Sequence, residues 1–365
     1  MLRLATGTML TLAISVGCLS GVAVAADGTK DKKVELLFNT YLPSQDPMRR
    51  VSIEDFSARI EKESGGSIDI TIPGSSLSKP DGQLSAVEDR LFDLAMISVY
   101  ASRNQTALPL LGDMPFNSLS GESASVAIWD TQQKYFDKIG EFGDVKLLSM
   151  HVLPGVNYVG SGKEINSIED FNGTKIWATA GKQTDALKAV GAIPVHSYFP
   201  QLFEYVSKGT VDGAMIGAGT VLAASLGDHV ENMTRFPGGM GSATWAVVMN
   251  KDAWNELSDN QKAAVLRAAD GLPRRTGVAL DERKEKALNT LDLKINDASP
   301  EFMSKLKDVL EPMKKTWIAD AKERGLTNAE EAYDFYRNRM QEVYSGQAEK
   351  GGTANESTAE ETNNG

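Results

Sequence analysis

From residue 34 onward, two apolar spacings alternate along the chain. Val34 to Asn39 is a short run that predicts a strand. Ile53, Phe56 and Ile60 then recur at helical spacing, Gly65-Gly66 stops that helix, and Ile68, Ile70 and Ile72 alternate as strand residues do. Leu84, Val87 and Leu91 repeat the helical pattern before a strand from Leu94 to Ile97. A second series opens with a strand from Val145 to His151, followed by a strand Lys175 to Ala178, a helix Thr184 to Val190 and a short strand Gly213 to Ile216. Ser167 with Asp170, Ser258 with Gln261, and Thr327 with Glu330 have the spacing of helix N-caps, and Ser299-Pro300-Glu301 opens a further helix. Phe302, Leu306, Leu310, Met313 and Trp317 form a long apolar stripe, expected of a helix packed across the body of the protein. Strand and helix in alternation imply crossover connections, a largely parallel sheet and an α/β protein.

The ends differ from this middle. Arg3, an apolar stretch from Leu4 to Val16 and the small residues Ala23-Val24-Ala25 predict an export signal over residues 1–25, cleaved after Ala25. The apolar run is shorter than the roughly 20 residues of a membrane span, so the mature chain is not expected to be membrane-embedded. Cys18 follows Ser15-Val16-Gly17, which faintly resembles a lipoprotein acceptor site, but Ser15 stands where a leucine is usual. Cys18 is the single cysteine of 365 residues, so a mature chain without it has no disulfide and no thiolate metal site. Residues 346–365 hold almost nothing apolar and are expected to form a disordered tail. A net charge of −11, with no basic block among aromatics, argues against nucleic acid as a partner.

Templates for catalysis are missing. His151, His196 and His229 are far apart and read as surface or structural histidines; none sits in a metal-binding His-Glu-x-x-His pattern. No Gly-x-Ser-x-Gly elbow exists. Gly162-Lys163 and Gly181-Lys182 lack the following Ser or Thr of a phosphate loop, and Gly238-Gly239-Met240-Gly241 reads as a flexible connection near a domain boundary. Neither a catalytic residue, nor a metal, nor a cofactor is expected. Aromatic residues such as Trp177, Phe199 and Trp245 fall at strand or loop ends, where open α/β sheets bind ligands.

Several collinear segments resemble the solute-binding subunits of tripartite ATP-independent periplasmic (TRAP) transporters, the DctP-like family, over nearly the whole mature chain. They are Ser64-Gly65-Gly66 with Ile72-Pro73-Gly74-Ser75-Ser76-Leu77, then Phe92-Asp93-Leu94-Ala95-Met96, and Met114-Pro115-Phe116. Ile168 through Ile176, Val190 through Val195, Gly209-Thr210-Val211-Asp212-Gly213, and Asn250, Trp254 and Leu257 continue the series. The resemblance implies a two-domain periplasmic-binding-protein (Venus-flytrap) fold with crossing strands and a long domain-spanning helix. It places residues 33–153 plus 243–280 in one domain and 154–242 plus 281–345 in the other. It also implies a periplasmic location, a small organic ligand taken up in the interdomain cleft, and TRAP permease subunits as partners. A secreted enzyme acting on a small substrate, or a binding component of another uptake or sensing system, are the alternatives.

Departures from the family pattern bear on the ligand. Where the family typically places a carboxylate-gripping arginine this chain has Trp177, a second arginine position falls on Asn157, and a polar run after Val211-Asp212-Gly213 becomes Met215-Ile216-Gly217. An indole has one weak donor and a π-face in place of a charged fork. Three chemistries fit: an apolar or aromatic ligand stacked on Trp177 and Phe199, an amine held by cation–π attraction of about 0.5 to 2 kcal/mol per ring, or a carboxylate whose clamp has moved, for instance to Lys182. Tyr41, Tyr100, Asn157, Trp177, Phe199, Met215 and Trp245 are the expected cleft residues.

Overall fold

The computed structural model describes residues 31–197 and 201–361, with side chains to residue 347. The expected export signal, Cys18 and Phe199 lie outside the described residues.

Eleven strands among the described residues form two sheets: β1 (Val34–Asn39), β2 (Ile68–Thr71), β3 (Leu94–Ser98), β4 (Val145–Val152), β5 (Asn157–Gly160), β6 (Lys175–Trp177), β7 (Ile193–Val195), β8 (Gly213–Ile216), β9 (Asn232–Arg235), β10 (Thr244–Asn250) and β11 (Lys294–Asp297). The first sheet runs β2-β1-β3-β10-β4 and the second β11-β9-β5-β8-β6-β7. Strands β1, β2 and β3 are mutually parallel, as crossover helices require, whereas β10 enters antiparallel between β3 and β4. The central strands of each sheet are covered on both faces and largely buried, whereas edge strands such as β11 are polar and exposed. In β10, for example, Ala246 and Val248 face one core while Val247 and Met249 face the other.

Local chemistry sets the helix boundaries. Ser258 and Gln261 close a reciprocal capping box at the start of the helix Asp259–Ala269, and Ser299 caps the helix Pro300–Glu323. The helix Gln83–Glu88 ends before Leu91, because Arg90 takes a positive φ of 56° and leaves Leu91 exposed. At residue 167 the expected cap is inverted: the Ser167 hydroxyl and backbone N–H both donate to the Asp170 carboxylate, ahead of the single turn Glu169–Phe171.

Four segments cross between the lobes built on the two sheets. Two are the extended connections 153–156 and 236–243, zipped together by Leu153 N to Ala243 O (3.0 Å), Val156 N to Gly241 O (3.0 Å) and Met240 N to Val156 O (2.9 Å). The other two are helices. Leu272–Thr290 buries Ala279 and Leu280 in the first lobe and Ala287 in the second, while Pro300–Glu323 buries Phe302 and Leu306 in the second and Trp317 and Ala321 in the first. The last helix, Ala329–Glu361, packs Ala332, Tyr333, Tyr336 and Met340 into the first lobe. The assignment of all of 281–345 to the second lobe therefore needs correction, since its final third completes the first. The same helix continues into the segment expected to be a disordered tail. Gln347, which accepts from Ser120 Oγ (3.0 Å), pins its entry, and extending an existing helix needs only one further bond per residue.

Candidate functional site

The junction between lobes is close-packed backbone. Phe116 N donates to Gly239 O (2.7 Å), Ser118 N to Gly238 O (3.1 Å) and Gly155 N to Ser118 O (3.3 Å). A Cβ on Gly155 would lie 2.7 Å from Gly238 O, so a side chain there would force the crossing strands apart. The glycine cluster read as a flexible connection is thus a pinned crossing strand at the lobe boundary. Asp113 sits against it, buried, accepting from Thr244 Oγ1 (2.6 Å) while its backbone oxygen takes Ser242 N (3.3 Å). Burial pushes its carboxyl up to about 7, opposed by the Thr244 hydrogen bonds and by the Lys182 ammonium.

The second lobe brings Trp177 and Met215 to the carboxyl ends of β6 and β8, but both are sealed in core. Trp177 is 1% exposed among Leu202, Val206, Ala214 and Val221, with its indole N–H donated to Ser197 Oγ (2.8 Å). Met215 lies on the opposite sheet face with Phe171 and Leu306. Asn157 is half-buried, and its Oδ1 accepts from Phe236 N (2.9 Å), so it braces the neighbouring strand.

In the first lobe the expected aromatics do meet. Tyr41, just beyond β1, and Trp245, on β10, have ring centroids 5.9 Å apart, and both are half-buried on the face covered by the helix Leu272–Thr290. Burial raises the Tyr41 hydroxyl above its ordinary range, so it stays protonated. Tyr100 lies apart from that pair: the Arg103 guanidinium covers its ring at 4.5 Å, and Gly181 of the second lobe packs so close that a Cβ there would be 2.7 Å from the ring. Lys182 lines a cavity of about 370 Å³ with Leu108, Trp317, Asp320 and Arg324, alongside the helix Pro300–Glu323.

Two charged residues on the helix Leu272–Thr290 escaped the sequence reading. Asp281 accepts Gly121 N (2.7 Å) and Glu122 N (2.9 Å), anchoring the helix to the start of Gly121–Thr131 in the first lobe; burial lifts its carboxyl to about 6. Two positions on, Arg283 reaches both lobes, donating from Nη1 to Asp46 Oδ2 (3.3 Å) and from Nη2 to Gly219 O (3.2 Å). Asp46 closes the loop that begins with Thr40 and Tyr41, so Arg283 stands where that loop faces the second lobe. Helical spacing alone marks 281 and 283 as polar positions and gives no sign of their partners. His151, expected at the surface or in a structural role, is fully buried, and burial pushes its imidazole down to about 3. Among the described residues no group of acidic, histidine or cysteine side chains could hold a metal ion, and no helix is long and apolar enough to cross a membrane.

The family model "Bacterial extracellular solute-binding protein, family 7" matches residues 38–320. The chain is 29% identical over 309 residues to the outer membrane transporter protein TsaT of Comamonas testosteroni, covering 83% of this chain and 90% of that protein. Among solved structures it is similar to a TRAP periplasmic solute-binding protein from Bordetella bronchiseptica with bound (R)- and (S)-mandelate, with a TM-score of 0.77, 27% identity, and coverage of 85% of this chain and 99% of that one. A marine metagenome TRAP solute-binding protein specific for aromatic acid ligands, in complex with metahydroxyphenylacetate, shares the fold with a TM-score of 0.75 at 22% identity, covering 85% and 99% of the two chains.

Proposed function

Because the chain belongs to the bacterial extracellular solute-binding proteins of family 7, we propose that the small organic molecule it captures between its lobes is an aromatic carboxylate. Its ring would lie against Tyr41 and Trp245 and its charge on Arg283. The chain is a TRAP-type solute-binding protein, and that family serves transporters and not catalysis. Delivery to the permease's membrane subunits, from a periplasmic location after cleavage at Ala25, completes the proposal.

The observation that carries the ligand class is the fate of the two arginine positions. Trp177 is sealed in core and Asn157 is spent on Phe236 N, so neither offers the charged fork that a dicarboxylate or sugar acid would need. What the first lobe offers instead is a half-buried aromatic pair, suited to offset stacking worth about 0.5–1.5 kcal/mol beyond its buried area. Arg283, reaching both lobes on the helix that covers the same sheet face, supplies one positive charge for one carboxylate. The mandelate-bound relative, at 27% identity, is consistent with a ligand of this size and type. An amine is disfavoured, because Arg103 already occupies the Tyr100 face and Arg283 would repel it. Closure on the ligand is a population shift, since ring and carboxylate contact both walls only when the lobes are shut.

Benzoate, phenylacetate, mandelate, succinate and choline are the test panel, read by melting temperature and tryptophan emission. The aromatic acids should raise the melting point and perturb emission, and succinate and choline should do neither. Binding of succinate or choline in preference to every aromatic acid would refute the reading.

A further inference from the structure

On the face of the first sheet that carries Trp245, the protein leaves a patch of hydrogen-bonding atoms unused. Trp245 and His151 are direct partners across the β10–β4 ladder, and Val247 opposes Ser149 one pleat further along. Residues directly opposite in an antiparallel pair point to the same face. Met150 and Val152 lie in the core of the other face, which puts Ser149 and His151 on the side of Trp245 and Tyr41. Trp245 Nε1, both ring nitrogens of His151 and Ser149 Oγ are all buried without a hydrogen-bond partner among the described residues. Ser149 and His151 have no exposed surface.

Buried polar atoms are nearly always paired, and one left unpaired keeps the full cost of its lost hydration. Four such atoms lie on one face of the β10–β4 ladder, at the end of the sheet where strands β3 and β4 run out toward the second lobe, and nothing among the described residues pairs them. Trp245 is only half-buried, so its ring edge is the boundary between this patch and the junction of the lobes.

We propose that His151, with Trp245 Nε1 and Ser149 Oγ, binds a hydroxyl group of the ligand, which makes the preferred ligand a hydroxylated aromatic acid. This rests on the aromatic-carboxylate reading above. The choice of hydroxyl follows from donor and acceptor matching. An uncharged imidazole presents one N–H and one lone pair, the indole presents a donor, and the serine hydroxyl can do either. A carboxylate only accepts and would leave the imidazole lone pair unmet, whereas a hydroxyl donates to it and accepts from the indole or the imidazole N–H. Burial keeps His151 neutral at physiological pH, as this pairing requires. A site built around a ligand hydroxyl discriminates strongly against the analogue lacking it, because its buried polar atoms are then left unpaired.

The test is calorimetric titration of two matched pairs, benzoate with 3-hydroxybenzoate and phenylacetate with mandelate. In the wild-type protein the hydroxylated member of at least one pair should bind 10-fold or more tightly. That ratio should fall toward one in His151→Phe, which keeps a ring and removes both nitrogens, and should fall partly in Ser149→Ala. A wild-type ratio near one in both pairs, or a ratio that survives both substitutions, overturns the inference and leaves the patch to internal water only. If none of the four acids binds, the aromatic-carboxylate reading itself fails and takes this one with it. Should His151→Phe not fold, nitrogen-15 spectra of wild-type His151 decide the matter: its ring nitrogens should shift with the hydroxylated acid and not with its parent. Equal shifts with both would count against the proposal.

Discussion

Replacing Asp113 by Asn should change how stability depends on pH, in a direction fixed by the burial of its carboxyl at the lobe junction. The unfolded carboxyl titrates near its ordinary 3.8 and the buried one near 7, so the unfolded state ionises first as pH rises. Asp113 therefore favours folding fully below its unfolded value, and that contribution is lost as pH rises through 7. Between pH 5 and pH 8 the loss amounts to on the order of 2–3 kcal/mol. His151 works the other way: its folded value is depressed to about 3, so the stability it contributes is present above about 6.5 and lost as pH falls. Asp281, raised to about 6, adds a smaller loss in the same direction as Asp113. The wild-type melting curve is thus a sum of opposing slopes, and the informative quantity is the difference between variant and wild type, in which His151 and Asp281 cancel. Asparagine keeps an oxygen to accept from Thr244 and has no charge to desolvate. Asp113→Asn should gain on wild type by on the order of 2–3 kcal/mol from pH 5 to pH 8, or roughly 5–10 °C in melting temperature at 2–4 °C per kcal/mol. Thermal melts in matched buffers measure it. A difference curve flat across that window would refute the reasoning.

Two substitutions probe the ligand site. Arg283→Met removes one charge-assisted contact, so the affinity for an aromatic carboxylate should fall about 10- to 100-fold. Its salt bridge to Asp46 is partly exposed and adds little stability, so the melting point should barely move; unchanged affinity in a titration would place the carboxylate elsewhere. Trp177→Arg reinstates the family arginine by sequence, but the guanidinium would be buried among Leu202, Val206 and Val221. It should destabilise the second lobe by about 3–5 kcal/mol in denaturant melts and confer no dicarboxylate binding; a stable variant that binds succinate would contradict the burial argument.

The regular elements were legible where their signals are local. Val34–Asn39 and Gly213–Ile216 were bounded to the residue, and the Ser258–Gln261 cap formed as its spacing required. What stayed hidden depends on distant partners. Trp177 occupies an aligned position, yet only the packing of Leu202–Ser207 and Ala218–Ala223 against the second sheet decides that it is core and not wall. Pairing of His151 with Trp245 is set by β10 inserting beside β4, which no periodicity in either strand announces. The stripe from Phe302 to Trp317 indicated a helix across the body without saying that Phe302 and Leu306 pack in the second lobe and Trp317 in the first.

The order in which the chain visits the two lobes also constrains when each can fold. The first sheet receives β10, its link between β3 and β4, only after the whole stretch from β5 to β9 has been laid down in the other lobe. Its core then waits for Trp317, Tyr336 and Met340 near the far end of the chain. An emerging polypeptide of 240 residues holds four of that lobe's five strands with β4 unattached, and contacts of such long sequence separation form slowly. The lobe begun first is the lobe finished last. A chain built this way keeps its first lobe open for longer than one whose first lobe could close on its own.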